Sequence, residues 1–258
     1  MSFSTDVYAV DGEREVALLG NGETVLEGSI GANPLFFADA EVDQSQLYLS
    51  DLEWDGGPAS EPSYIPVIGA GPGAVLWLDD VTMRGTVQYN AGDVHMRRSN
   101  LFEGAGIPFG FPDATIQGNG GLHLENSSIA PELEHLRIGG NVDIRYSTVA
   151  VDGDVICAED FDGVVRNSII LAGGSVVDAC DGAAWDGNAV NTAGFGSIVP
   201  DFEQSWFAPT EDTWFRLSAA GIPVFEGLAE WEDGDPVLDA EGDPRPQNSP
   251  STPGVDEP

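Results

Sequence analysis

Two histidines and two arginines stand at matched places in a chain that is poor in both types. His95 precedes Arg97 by two residues, His123 precedes Glu125, and Asp143 precedes Arg145. Residues i and i+2 of a strand share a face. If these stretches are strands, all six side chains lie on one surface. Such a surface could do acid–base work, with Glu125 or Asp143 moving the proton, His95 and His123 beside them, and Arg97 and Arg145 gripping a sugar carboxylate. Tyr48 and Trp77 hold the equivalent places in earlier stretches, where a ring could stack on a sugar. The same pattern also has a purely structural reading. Asp79, Arg97, Glu125 and Arg145 alternate in sign, and opposite charges facing across strands contribute about 0.2 to 1 kcal/mol each without any ligand.

The elements that must carry these residues are written in a repeat. The stretches are "LYLSDLEW" from Leu47, "LWLDDVTM" from Leu76, "VHMRRSNL" from Val94, "LHLENSSI" from Leu122, "VDIRYSTV" from Val142 and a weaker "GVVRNSII" from Gly163, with steps of 29, 18, 28, 20 and 21 residues. Within each, the first, third, sixth and eighth residues are mostly apolar or small, and the second, fourth and seventh are mostly polar. Period-two alternation predicts strands, and the phase shift between third and sixth predicts a corner or bulge. Gly, Asn and Asp punctuate the gaps, while helix signals are confined to "SFSTDV" and "PELEHL".

Short strands recurring at this interval predict an all-β chain, a parallel β-helix of roughly eight coils, rather than a sandwich built on tight hairpins. Equivalent residues then form columns along the rod. The sixth column, Leu52, Val81, Ser99, Ser127, Ser147 and Ser168, points inward, and its hydroxyls are expected to bond to neighbouring coils. The second column, Tyr48, Trp77, His95, His123 and Asp143, and the fourth, from Ser50 and Asp79 to Arg166, point outward. Residues 1–200 form the repeat region; residues 201–258 form an irregular segment that caps the last coil or lies on its flank, carrying Trp206, Trp214, Phe215, Phe225 and Trp231.

The two long steps gain their length after Trp54 and Leu101. Their inserts, "DGGPASEPSYIP" and "EGAGIPFGFPD", bring Tyr64, Phe109 and Phe111, which either wall a cleft floored by Arg84 or cover the rod's flank. Cys157 and Cys180 are one coil length apart, which places them within disulfide range; two unpaired thiols are the alternative.

The charge balance excludes several partners. There are 44 acidic residues against nine basic ones, every base is Arg, and the formal net charge is −35. Such a surface repels nucleic acid and anionic membranes. It fits a salt-adapted or secreted protein. Calcium is the one ion the Asp content admits, although no D-x-D-x-D-G spacing occurs, and no cofactor or other metal site is expected. No apolar run reaches membrane-spanning length, so no membrane insertion is expected. The opening "MSFSTDVYAVDGE" begins inside an alternating pattern and reads as cut from a longer secreted precursor, its signal peptide gone.

The tail adds a resemblance. Phe215–Leu217, Asp239, Gly242–Pro246 and Gly254–Glu257 resemble parts of the "yrL…SP…D…G-D-x-R-P…D-x-G-A-x-E" ending of secreted bacterial right-handed β-helix proteins of the pectate-lyase-like group, and "SIVPDFE" at Ser197–Glu203 resembles that group's linker. The resemblance implies a right-handed helix and an extracellular or cell-surface location. It does not choose an activity, because the group holds lyases, hydrolases and adhesins. No Lys is present to act as a lyase base, and no N-T-D…D-D…G-H-G series of the polygalacturonase type occurs. The expected function is therefore a non-enzymatic scaffold or adhesin that touches carbohydrate through the outward aromatic column. The alternative is a polysaccharide lyase or glycoside hydrolase working in a groove on the same face. An oligomer formed by end-to-end or lateral packing is a further expectation.

Overall fold

Alternating apolar and polar residues form short strands here, and each strand pairs with its own counterpart one repeat away. The structure is a computed structural model. It describes residues 15–27, 35–37, 46–55, 67–70, 73–84, 86–89, 92–102, 116–118, 120–129, 136–178, 180–199, 203–208, 215–247 and 249–256. The described chain is all-β apart from single turns of helix, of which Ile222–Phe225 is α-helical and had no signal in the sequence reading.

Pairing is parallel and in the register that the repeat predicts. Leu47 faces Leu76, Leu76 faces Val94, Val94 faces Leu122, Leu122 faces Val142, and Val142 faces Gly163. Two further rows escape the sequence comparison. Val16 pairs with Leu47, but its strand shifts register between Leu19 and Thr24. Ala183 pairs with Gly163, where two small residues hide the apolar signature.

Each repeat contributes a first strand, a corner and a second strand, all within one large sheet. A third strand joins separate parallel sheets, as Leu136–Ile138, Val155–Cys157 and Val176–Asp178 do. Their inward side chains share one core: Leu122, Ile129 and Ile138 from one repeat, then Val142, Val149 and Val155 from the next.

The corner falls on the fifth residue of every repeat. Asp51, Asp80, Arg98, Asn126, Tyr146 and Asn167 all adopt φ between 44° and 59°, and Gly187 continues the column at 63°. Asn and Asp enter this left-handed region readily, whereas Arg and Tyr do so at a cost of roughly 1 kcal/mol or more. The corner amides are kept satisfied: Arg98 N–H donates to the Glu125 carbonyl (3.0 Å) and Tyr146 N–H to the Arg166 carbonyl (3.2 Å).

Immediately inside the corner runs the serine column. The Ser99 amide donates to Ser127 Oγ at 3.2 Å, Ser127 to Ser147 Oγ at 3.3 Å, and Ser147 to Ser168 Oγ at 3.2 Å. Each hydroxyl in turn donates to the carbonyl two residues before it, at 2.9 Å. Asn188 ends the column by accepting from the Ser168 amide. All four serines are buried, so every rung replaces water that the backbone has lost.

The C-terminal segment packs against the outer side of the second strands. Ala150, Ile169, Leu171 and Ala189 point away from the first core and form another with Trp206, Phe207, Phe215, Leu217, Phe225 and Val255. The seventh column, mostly polar in sequence, is buried at Ser128, Thr148, Ile169 and Ala189. Trp214 lies outside the described residues.

Tail and corners are joined by specific bonds. Arg245 Nη2 donates to Asn126 Oδ1 (3.0 Å) and to the Gly254 carbonyl (2.9 Å), and its guanidinium lies 4.0 Å from the Tyr146 ring centroid. Asn126 also donates to the Leu238 carbonyl, and Asn167 to the Glu230 carbonyl. Gly254, at φ +95°, lies close enough to Thr148 and Ile169 that a Cβ would clash with both. Cys157 and Cys180 form a disulfide across neighbouring repeats, with Cα atoms 4.9 Å apart.

Candidate functional site

The first strands hold the second and fourth columns two residues apart on their outer face. Between them lies a furrow of about 310 Å³ that brings together Tyr48, Trp77, His95, His123, Asp143, Arg97, Glu125 and Arg145. Its floor is the strand backbone at Leu78, Met96 and Leu124, whose side chains turn into the core. Tyr64, Phe109 and Phe111 lie outside the described residues. Arg84 ends the strand Val75–Arg84, and only its backbone is described.

One wall is a stack of rings. Parallel in-register strands place side chains of one column roughly 4.8 Å apart, so flat rings in that column need lean only slightly to stack. Trp77 and His95 stack at 3.9 Å between centroids, inclined by 13°, and His95 and His123 stack at 4.2 Å, inclined by 6°. Both faces of His95 are therefore occupied, so only its nitrogen-bearing edge can meet a ligand. Trp77 ends the stack and remains 38% exposed. Burial, and after it the neighbouring His123, push the His95 pKa down to about 4, against a weaker upward pull from Asp93. His95 is neutral at pH 7, with one donor and one acceptor nitrogen. Two rings stacked in parallel cannot share an ion lying in both planes. Among the described residues no group of three or more His, Cys, Asp or Glu is arranged to hold a metal, so the calcium expectation finds no ligand set there.

The other wall is charged, but its pairing differs from the alternating ladder that stability alone predicts. Asp79 is the hub. Arg97 grips it with both ends of its fork, Nε to Oδ1 at 3.0 Å and Nη2 to Oδ2 at 2.6 Å; Arg98 Nη2 adds a bond to Oδ1 at 3.1 Å. Tyr48 donates its hydroxyl to Oδ2 at 2.9 Å. Burial opposes ionisation of Asp79, but the Arg97 fork, the Tyr48 hydroxyl and Arg98 together hold its carboxyl below the usual range. For Tyr48, the bond to Asp79 and then burial raise the pKa, so the phenol stays protonated.

Arg145 also declines the ladder. It stands opposite Glu125 in register, yet its Nε bonds Asp143 on its own strand at 2.6 Å and its Nη1 bonds the Gly234 carbonyl of the tail at 3.1 Å. Arg166 turns to the same tail loop, pairing with Glu232 (2.7 Å) and Asp235. The Glu125 carboxylate is left with no hydrogen bond or ion pair among the described residues, while its backbone carbonyl accepts from Arg98 and Ser127.

Sequence reasoning finds the two columns, because they follow from the repeat. It misses Arg98, whose corner conformation turns it back to Asp79, and Gly234, for which no local signal exists. The structure pairs Asp143 with Arg145 and Arg97 with Asp79, so these three candidates for proton transfer and carboxylate binding start from existing ion pairs.

No family model, no curated protein and no solved structure matches the chain. No described helix is long and apolar enough to cross a membrane.

Proposed function

We propose that the chain is a right-handed parallel β-helix module of the cell exterior, a scaffold or adhesin that binds carbohydrate in the furrow between its second and fourth columns. The observation that carries this reading is Trp77, a large ring left exposed at the end of a rigid stack, beside a polar slot. Sugars present an apolar face and a rim of hydroxyls, and such a wall answers both. The stacked rings are held by in-register strands, so little ordering is required when a ligand arrives. In-register parallel rows support the coiled reading, and the Cys157–Cys180 bridge fits an oxidising compartment.

An enzymatic reading, lyase or hydrolase, draws on Glu125, whose carboxylate makes no hydrogen bond among the described residues, in the same furrow as neutral His95. The scaffold reading is favoured because Asp143, the second carboxylate that glycoside hydrolysis would use, is engaged with Arg145. A glycan-array screen with and without calcium tests the proposal. Binding to at least one glycan class is expected, and silence on every glycan removes the carbohydrate reading. Cleavage of a bound glycan would replace the scaffold by the enzyme.

A further inference from the structure

Resting on the carbohydrate reading above, we infer that the furrow prefers sugars bearing free amino groups over uronates and over the N-acylated forms of the same sugars. The argument begins with which charges along this face are already used. Arg97 and Arg98 bond Asp79, Arg145 bonds Asp143 and the Gly234 carbonyl, and Arg166 bonds Glu232 and Asp235. A sugar carboxylate would therefore meet guanidinium groups whose charge these acids already offset. It would also approach a chain of net charge −35, whose field repels anions.

Glu125 is the opposite case. Arg97 and Arg145 flank it in register, and both direct their bonds elsewhere. Its half-buried carboxylate lines the furrow with its acceptor capacity unspent. Ionised carboxylates gain most from donors that are themselves charged, since such bonds are about twice as strong as neutral ones. A sugar ammonium meets that demand while the ring's apolar side rests against Trp77. An N-acetyl group replaces the ammonium by a neutral amide, and a uronate offers a hydroxyl in its place and adds a carboxylate of the same sign as Glu125.

The test is a calorimetric titration with three linear tetrasaccharides, of glucosamine, N-acetylglucosamine and galacturonate, at mildly acidic pH where the sugar amines are charged. Salt of about 1 M shortens the Debye length to about 3 Å and suppresses bulk attraction between the acidic chain and any cation. The glucosamine tetramer is expected to bind about tenfold more tightly than its N-acetylated form, with galacturonate weakest. Glu125→Gln is expected to bring the glucosamine and N-acetylated affinities to within about twofold of each other. The inference is overturned if Glu125→Gln keeps the preference, or if the N-acetylated or uronate tetramer binds as tightly as the amine. Should none of the three bind the unaltered protein, the inference is overturned; the carbohydrate reading falls with it only if the glycan array is silent as well.

Discussion

Arg245 lies over the ring of Tyr146, its guanidinium 4.0 Å from the ring centroid, and both side chains are buried. Tyr146 occupies a corner in the left-handed region, and Arg245 belongs to the "GDPRP" stretch of the tail. The pair therefore joins a strained corner of the repeat to the segment that covers it.

Removing the guanidinium should be costly. Arg245→Ala loses the bonds to Asn126 and the Gly254 carbonyl as well as the cation–π contact. A loss of about 2 to 4 kcal/mol is expected, because buried acceptors are left unpaired. Arg245→Lys should recover less than half of it, since a point charge cannot reproduce the planar fork. Denaturant unfolding of both variants measures the effect, and an Arg245→Ala protein as stable as the parent would remove the tail's anchoring role.

The serine column makes a second prediction. Ser147→Ala deletes the acceptor of the buried Ser127 amide and the donor to the Arg145 carbonyl. An orphaned buried amide costs about 1 to 3 kcal/mol, so the urea midpoint should fall with an unchanged slope. Ser147→Thr retains a hydroxyl and should cost less.

His95 links stability to pH. Its folded pKa, about 4, lies below the ordinary 6.5, so the unfolded chain takes up the proton first. The contribution of neutral His95 is complete above pH 6.5 and is lost as pH falls from about 6.5 to about 4. Asp256 acts in the opposite sense, because burial raises its carboxyl; ionising it disfavours the fold as pH rises above the ordinary carboxylate value. Melting temperature followed over the interval from pH 6.5 to 4 should decline, and His95→Asn should flatten the decline. Parallel curves for parent and variant would show that the stacked imidazole is not the group responsible.

The columns were legible because parallel pairing repeats one residue pattern, and a period-two alternation can be read without knowing the partner strand. The choice of partner within a column was not. Arg97 has an acid on either side in register, Asp79 and Glu125, and sequence cannot say which it grips. Geometry decides for Asp79, whose nearly buried carboxylate accepts the whole fork and a bond from Arg98 as well. Gly234 was invisible for a different reason: it acts through a backbone carbonyl, delivered to Arg145 across 89 residues of chain. The tail's role was half legible. Its aromatic content announced a covering, whereas the surface it covers is set by Asn126, Tyr146 and Asn167, whose contacts are all long-range.

Carbohydrate binding beside Trp77 is tested most directly by titrating the glucosamine tetrasaccharide into the parent protein, Trp77→Phe and Trp77→Ala. The expected result is measurable binding by the parent, most of it retained in Trp77→Phe, and a loss of roughly tenfold, about 1.4 kcal/mol, in Trp77→Ala. Equal affinity of Trp77→Ala and the parent would contradict the account, because the ligand would then be held somewhere other than the furrow.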